Sequence, residues 1–369
     1  MAANALIDKL LRTNWTDEQI QDYIGHYESA YFAYAKDHLI RSNAASGGVV
    51  TGLLSDMLKN NDIDGALVCI STIEEGKVRG QCKIATCLEE LLESQGSKYI
   101  STAFSREAIP MIKGFKGRLA VVCLPCDAKL LALLSEKDAE LKKKLALVIT
   151  LFCGHASQPE LTEMVVDRLR PNPKAELTDF RFRSGHWRGR ITAEFDDHFI
   201  VSKKFSFFSK YQNLYYFCER KCLHCHDHAG YYSDLSVGDV WLQRMKDLPI
   251  KYSGIIAKSK RSIKYLEQAE KDHALQLEPQ DIREIVESQS RSFRVHYNVS
   301  ARSKAGKKLG LDINDDVNTK VRWVDYLIAR EIIKNYLATQ TPEGIEKLKR
   351  MPKRLVTLKL YYLKLLQVL

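Results

Sequence analysis

Three cysteines and three histidines fall within eleven consecutive positions, Cys218 to His228, of the stretch CERKCLHCHDHAGYYSDLSVGDVW. The cysteines Cys218, Cys222 and Cys225 are spaced C-x3-C-x2-C. Thiolates this close converge on one centre when the backbone turns tightly around it, and as soft ligands they select zinc or iron–sulfur over hard cations. A single cysteine is often just a small buried apolar side chain; three within eight residues, flanked by Arg220, Lys221 and histidines, point to ligation. A zinc site would draw its fourth ligand from His224, His226 or His228. An iron–sulfur site has another source, because Cys126 ends VVCLPC and Cys153 ends VITLFC, each at the C-terminal edge of an expected strand. Open α/β sheets place their ligands at that edge. Four thiolates, from two strand ends and a C-x2-C loop, satisfy a cubane cluster.

Two small-residue turns suit an anion and a planar ring. RSNAASGGVVTGLL sets a Ser-Gly-Gly turn, Ser46 to Gly48, before an apolar helix pattern. Such a turn brings unhindered N–H groups and the positive end of the helix dipole toward a phosphate. GSKYI, from Gly96 through Ser97, adds a cation, Lys98, and an aromatic ring, Tyr99. FRSGHWRGR offers Arg183, His186, Trp187 and Arg188 as candidates for lining a substrate opening. The C-x3-C-x2-C spacing is shared with radical S-adenosylmethionine enzymes, whose motif lies early in a barrel. Here 144 residues follow Cys225 and read as mostly helical, so that context fails.

The elements that must position these residues alternate between strand and helix. An amphipathic helix pattern after Gly48 leads to a strand from about Ala66 to Ile70, and LAVVC at 119–123 and LALVITL at 145–151 read as buried strands. This predicts an α/β fold with a mainly parallel sheet core. Residues 174–205 alternate apolar with polar side chains and predict an antiparallel β insertion. Helices are expected over residues 1–40 and over 261–369, leaving 41–260 as the cofactor-binding α/β domain. After Pro352 a mostly apolar helix carries a thin polar stripe at Lys353, Thr357, Lys364 and Gln367. It is expected to pack on the protein's own core or on a partner subunit, with attachment to an anionic membrane surface as the alternative.

Composition excludes several classes. The 369 residues are 45% hydrophobic and 28% charged, an ordinary globular balance. Nine cysteines in a chain of this size argue for metal or redox use over a disulfide framework. Neither a leader pattern nor an apolar run of about 18 residues is present, so a cytoplasmic protein is expected, at most peripheral to a membrane. The formal charge of +10 is concentrated after Ile345, where seven basic residues meet the single acid Glu346; no nucleic-acid partner is expected.

Taken in order, AYAKDHLIRSNAASGGVVTGLL, GSKYISTAF, VVCLPCDAKLLALL, LFCGHASQP and CLHCHDHAGYYSDLSVGDVW resemble the coenzyme F420-reducing hydrogenase and dehydrogenase beta-subunit family. The resemblance spans about residues 30–245. It implies FAD and a 4Fe–4S cluster in one α/β scaffold. Phosphate binding passes to Ser46, Gly47 and Gly48, flavin contact to Gly96, Ser97, Lys98 and Tyr99, and cluster ligation to Cys126, Cys153, Cys222 and Cys225, with Cys218 as alternate. Cys69, Cys82, Cys87 and Cys123 receive only structural roles. Two departures matter: residues 1–68 lack the cysteine runs of a ferredoxin-like segment, and Asp127 replaces the family's Gln. Electrons are therefore expected to reach or leave a small-molecule substrate through an external ferredoxin-like protein or coenzyme F420, with a partner subunit or a second copy of the chain as a further partner. The alternative is a non-catalytic or zinc-stapled binding protein on the same scaffold.

Overall fold

The computed structural model describes residue 8, residues 12–196 and residues 198–367. In chain order the strands are β1 Ser29–Ala35, β2 Gly65–Glu74, β3 Lys77–Ala85, β4 Leu119–Cys123, β5 Leu145–Leu151, β6 Leu177–Ser184, β7 Arg190–Phe195, β8 Ile200–Lys204, β9 Leu235–Asp239, β10 Ser253–Ala257 and β11 Leu275–Pro279. Eight form one sheet in the order β11-β1-β10-β9-β5-β4-β2-β3; β6, β7 and β8 form a second.

The large sheet is parallel where its sequence is most apolar. β2, β4, β5 and β9 run parallel, and β5, LALVITL, is buried at every position but the last. Val, Ile and Leu runs of this kind fit strands covered on both faces. One face packs Val49, Leu53 and Met57 of the helix Val49–Lys59, with Leu266 of Lys260–Lys271, onto Ala66, Val68, Leu147 and Ile149. The other sets Ile112 of Phe104–Gly114 and Leu131 of Pro125–Lys137 against Leu67, Val121 and Val148. Alternate residues of each strand thus go to opposite layers. Because β4, β5 and β9 are parallel, their C-terminal ends share one edge, and Cys123, the loop holding Cys153, and Asp239 follow there.

Antiparallel strands flank this parallel centre. β2 turns into β3 through Glu75 and Gly76, both at positive φ (51° and 69°), as a two-residue hairpin requires. On the other side β10 pairs with β9 and β1, and β1 with β11. The expected antiparallel insertion at 174–205 is the β6–β7–β8 sheet, which belongs to one hydrophobic core with the helices Trp323–Ala338 and Lys353–Leu366.

Three expectations need correction. The helical reading of residues 1–40 holds for Asp17–Ile24, which Thr16 caps, but SAYFAYA forms β1 in the sheet. Residues 261–369 also supply a strand, β11, so the expected boundaries at 40 and 261 both run through the sheet. The terminal helix buries Val356, Leu363 and Leu366 as expected. Its polar stripe, however, turns inward in part, and Leu358, Tyr361 and Leu365 are exposed. Among the described residues no helix is long and apolar enough to cross a membrane.

Gly47 sits where the loop before Val49–Lys59 crosses β1 and β10. A Cβ there would lie 2.4 Å from the Ala33 carbonyl oxygen and 2.8 Å from the Ser253 nitrogen, neither able to yield without moving a strand. Gly47→Ala should lower unfolding free energy by about 2–4 kcal/mol in urea titrations; a change within experimental error would show that the loop is not pinned.

Candidate functional site

A cavity of about 750 Å³ opens at the C-terminal edge of the large sheet, within the size range of cofactor sites. Its walls include Ser46, Gly48, Gly96, Ser97, Lys98, Tyr99 and Cys153, so the two small-residue turns and one candidate ligand meet there. The helix Val49–Lys59 starts at Gly48, in the left-handed region (φ 78°), with no side chain capping it. Its first N–H groups therefore have no partner within the helix, and Val49, Val50 and Thr51 line the cavity. Gly96, also at positive φ, and Gly154 have open space where a Cβ would stand, which leaves bare backbone toward a ligand.

Cations clamp the loop before that helix from behind. Lys251 donates to the Ala44 carbonyl, and Arg183 Nη2 donates to the Ala45 carbonyl at 3.0 Å. In a trans peptide this turns the following N–H groups, of Ala45 and Ser46, away from the clamp. Arg183 Nη1 also pairs with Asp239 at 2.7 Å and donates to the Tyr99 hydroxyl at 3.4 Å. Its remaining bonds go to the Trp187 and Arg188 carbonyls, at 3.0 and 3.2 Å. Burial opposes the Arg183 charge, but Asp239 and Tyr99 outweigh it and hold the proton more firmly than usual.

Several of the expected site residues also make contacts within the protein. The Ser46 hydroxyl pairs with Ser253 Oγ at 2.8 Å, and Gly47 N–H donates to that same oxygen at 3.0 Å, so these two fasten the loop. Lys98 donates to the carbonyls of Ser94, Gln95 and Gly96, which follow the helix Leu88–Glu93. Burial brings its pKa down to about 8. Tyr99 packs on Phe205 and Phe182, centroids 5.1 and 5.8 Å away. Of the FRSGHWRGR candidates, Arg183 is buried, His186 bonds the Lys246 carbonyl at 2.8 Å and Trp187 meets Trp241 edge-on; Arg188 alone of the four lines the cavity. Cys69, Cys82 and Cys123, given only structural roles, line it too. Cys69 and Cys82 face each other across β2 and β3, and no motif signals them.

The cysteine loops are joined backbone to backbone. Cys153 N–H donates to the His228 carbonyl at 3.0 Å, Ser157 and Cys218 form an antiparallel bridge, and Glu219 N–H donates to the Ala156 carbonyl at 3.0 Å. Tyr215 and Phe217, just before Cys218, both have positive φ (63° and 55°), strained for bulky residues. Burial pushes the Cys126 and Cys225 thiols up to about 12; the Asp127 charge adds to the rise at Cys126, while a hydrogen bond to the Asp227 backbone opposes it at Cys225. Burial, then the charges of Cys222, Cys126 and Cys225, push Cys153 up further. Cys222 is held down by the Cys218 thiol, helped by the Ala156 N–H at 3.3 Å and by Lys221. The four expected ligands thus feel one another, although among the described residues no three side chains already stand as a metal site.

Arg302 is the group that fits a cluster best. Fully buried, it donates to the Leu223 and Cys225 carbonyls at 2.8 and 2.7 Å, and to those of Val295 and His296 at 2.7 and 2.9 Å. Burial weakens its hold on its proton; Tyr215, Cys225, Cys218 and Cys222 oppose this. None of its bonds is to a carboxylate. A buried cation without a counter-ion is costly, and the nearby thiols of Cys218, Cys222 and Cys225 would supply negative charge if ionised. His228 has both ring nitrogens, and His155 its Nε2, buried without partners at the cavity wall. Burial holds both rings neutral, with pKa values of about 4. His296 is likewise buried with both ring nitrogens unpartnered, whereas His224 accepts from Asn314 N–H at 3.1 Å and His226 meets Asp316 at 3.2 Å.

Since Arg183 ties four segments together, Arg183→Met should destabilise the protein by about 3–5 kcal/mol. In a double-mutant cycle with Asp239→Asn, read by urea unfolding, the second change should cost much less once the first is made. Additive effects would refute the coupling.

Two family profiles match the chain, the N-terminal part of the coenzyme F420 hydrogenase/dehydrogenase beta subunit over residues 30–107 and its C terminus over residues 116–282. An F(420)H(2) dehydrogenase subunit of Methanosarcina mazei is 25% identical over 228 residues, 61% of this chain and 59% of that protein. An uncharacterised protein of Methanocaldococcus jannaschii is 26% identical over 223 residues, 57% of this chain and 56% of that protein. The chain spans less than two thirds of the length of these curated relatives. A chain in the F420-reducing NiFe hydrogenase complex from Methanosarcina barkeri shares the fold, with a TM-score of 0.60 at 15% identity, over 80% of this chain and 98% of that one. Both halves of one family's profile fall in order on the loops that wall the cavity and carry the four thiols, and the chain accordingly belongs to the coenzyme F420 hydrogenase/dehydrogenase beta subunit family.

Proposed function

We propose that the protein is an oxidoreductase that binds FAD in the cavity and a 4Fe–4S cluster on Cys126, Cys153, Cys222 and Cys225. The observation that carries this reading is Arg302, a buried cation beside the thiols whose hydrogen bonds all go to carbonyls. When bound, FAD exchanges a hydride with substrate and the cluster passes single electrons. The chain's own residues arrange that chemistry. The uncapped helix start at Gly48 holds the cofactor's phosphates, while Gly96, Ser97 and Tyr99 form the wall beside the ring. Arg302 and Lys221 offset thiolate charge, and the bonded loops 153–157 and 217–222 set the ligand spacing.

Family membership supports an oxidoreductase, and the relatives named as a dehydrogenase subunit and a hydrogenase complex support a partner subunit or carrier protein that exchanges electrons with this chain. We assign that partner to the exposed row Leu358, Tyr361 and Leu365. Coenzyme F420 is the small-molecule substrate class the family favours. For the zinc-stapled alternative, His224 and His226 are bonded elsewhere, which leaves His228, its ring nitrogens without partners, as the fourth ligand that reading requires.

Protein purified without oxygen should contain FAD, about four irons and matching acid-labile sulfide per chain. Cys153→Ser and Cys222→Ser should each lose most of the iron, whereas Cys87→Ser should keep it. Retention of iron by Cys222→Ser with loss by Cys218→Ser would move ligation to Cys218. A colourless protein with one zinc per chain would overturn the redox reading.

A further inference from the structure

Cys69 and Cys82 are free thiols that line the cavity, and neither is a ligand of the proposed cluster. They stand in register opposite each other on β2 and β3, so both side chains leave the same face of the sheet. The hairpin fixes what kind of pair they make. Glu75 and Gly76, both at positive φ, form a two-residue turn that closes on a hydrogen-bonded pair, Glu74 with Lys77. From there hydrogen-bonded and non-hydrogen-bonded pairs alternate along an antiparallel ladder, and this one runs without a break. Ile70 with Gln81 is therefore a hydrogen-bonded pair, and Cys69 with Cys82 is not. The Cα atoms of a non-hydrogen-bonded pair stand about 4.5 Å apart, the closer of the two spacings. A disulfide accepts about 4.4–6.8 Å.

The pair sits where the core gives way to the cavity. Leu67 and Ile84, the next pair on this face, belong to the apolar layer formed with the helices Phe104–Gly114 and Pro125–Lys137. On the far side of the cysteines Gly80 has no side chain, and the loop through Ile100 and Thr102 lies over it. A Cβ at Gly80 would stand 3.0 Å from the Cγ2 atoms of both. That loop follows Lys98, whose ammonium donates to three carbonyls and, among the described residues, pairs with no carboxylate. Burial raises both thiols, Cys82 to about 12. The Lys98 charge opposes the rise at Cys69, whereas at Cys82 the charges of Cys69, Glu107 and Asp127 all add to it. A neighbouring cation marks the thiol that ionises more readily, and here that is Cys69.

We propose that Cys69 and Cys82 form a thiol–disulfide exchange site for a small disulfide that enters the cavity. The Cys69 thiolate attacks one sulfur of the disulfide RS–SR; that S–S bond breaks, one RS⁻ leaves and takes up a proton, and Cys69 is held as a mixed disulfide. The Cys82 thiolate then attacks the Cys69 sulfur, expels the second RS⁻ and closes the cross-strand bond. Two protein thiols lose two electrons and two protons, and one disulfide becomes two molecules of RSH. The same steps run backwards when two thiols meet the closed pair. Neither direction breaks the sheet, because the ladder's hydrogen bonds belong to the neighbouring pairs. A disulfide exposed to a cavity is of the labile kind that a cycling pair requires. The exchange uses neither FAD nor iron, so it stands apart from the proposed cofactors.

The test uses the full chain purified without oxygen and held in mixtures of 2-mercaptoethanol and its disulfide. Samples are quenched in acid, alkylated, digested without reductant and read by mass spectrometry. Wild type should yield a peptide pair linked through Cys69 and Cys82 that grows with the disulfide fraction and disappears when excess 2-mercaptoethanol is restored. Cys82→Ser should accumulate mercaptoethanol on Cys69, whereas Cys69→Ser should take it up on Cys82 about tenfold more slowly or less, both with the circular dichroism of wild type. Absence of the linked pair from folded wild type, a link from Cys82 to Cys123 in its place, or equal rates in the two variants overturns the proposal. FAD and iron are measured on the same samples. Wild type that lacks both and still closes the pair would sink the flavoprotein reading and uphold the exchange site; wild type that carries both and never closes it does the reverse.

Discussion

A positive charge with no water around it constrains everything near it. Arg302 spends its hydrogen bonds on the carbonyls of Leu223 and Cys225 and on those of Val295 and His296, where the helix Ser290–Tyr297 ends. Those carbonyls are fixed in direction as a result, and the loop between Cys222 and Cys225 inherits its shape from them. Carbonyl dipoles satisfy the donors but do not cancel the charge. The adjacent thiols complete the balance when ionised, and metal ions ionise thiols. In this sense a side chain 77 positions downstream of Cys225 decides the geometry of a cysteine motif.

Arg183 plays the matching part on the other side of the cavity. Its carboxylate partner, Asp239, ends β9, and its further bonds reach the loop before Gly48, the turn between β6 and β7, and Tyr99. The small sheet is joined through it to the edge of the large one. Two guanidinium groups, each collecting loops that the sheet's connectivity merely brings near, convert a crowded strand edge into two ordered walls.

What could be read from the residues was whatever has a local cause. Val- and Leu-rich runs announced β4 and β5 because a strand covered on both faces must be apolar throughout. The Gly pair marked the helix start and the cysteine spacing marked the ligand loop. β1 escaped because SAYFAYA places small and aromatic residues at intervals a helix also tolerates, and only its two antiparallel neighbours make it a strand. β3, KVRGQCKIA, is polar enough at the sheet's edge to pass for a connection. Arg183 and Arg302 were illegible in their structural roles because most of their partners are backbone carbonyls, which any residue can supply. The cavity's thiols at Cys69 and Cys82 and its lysine at position 364 depend on long-range packing, and no local pattern encodes that.

The placement of β1 has a consequence for how the chain comes to be. Its partners on both sides, β10 and β11, lie more than 200 residues later, ending at Pro279. During synthesis the segment Ser29–Ala35 must wait, with Phe32 and its neighbours uncovered, until most of the protein has emerged from the ribosome. The parallel strands β2, β4 and β5 can associate first, so the nascent chain spends time as a partial sheet whose β9 edge is open. Non-local pairing of this sort slows folding and invites association with other chains. A molecular chaperone that shields short apolar strands would find its natural client in that interval.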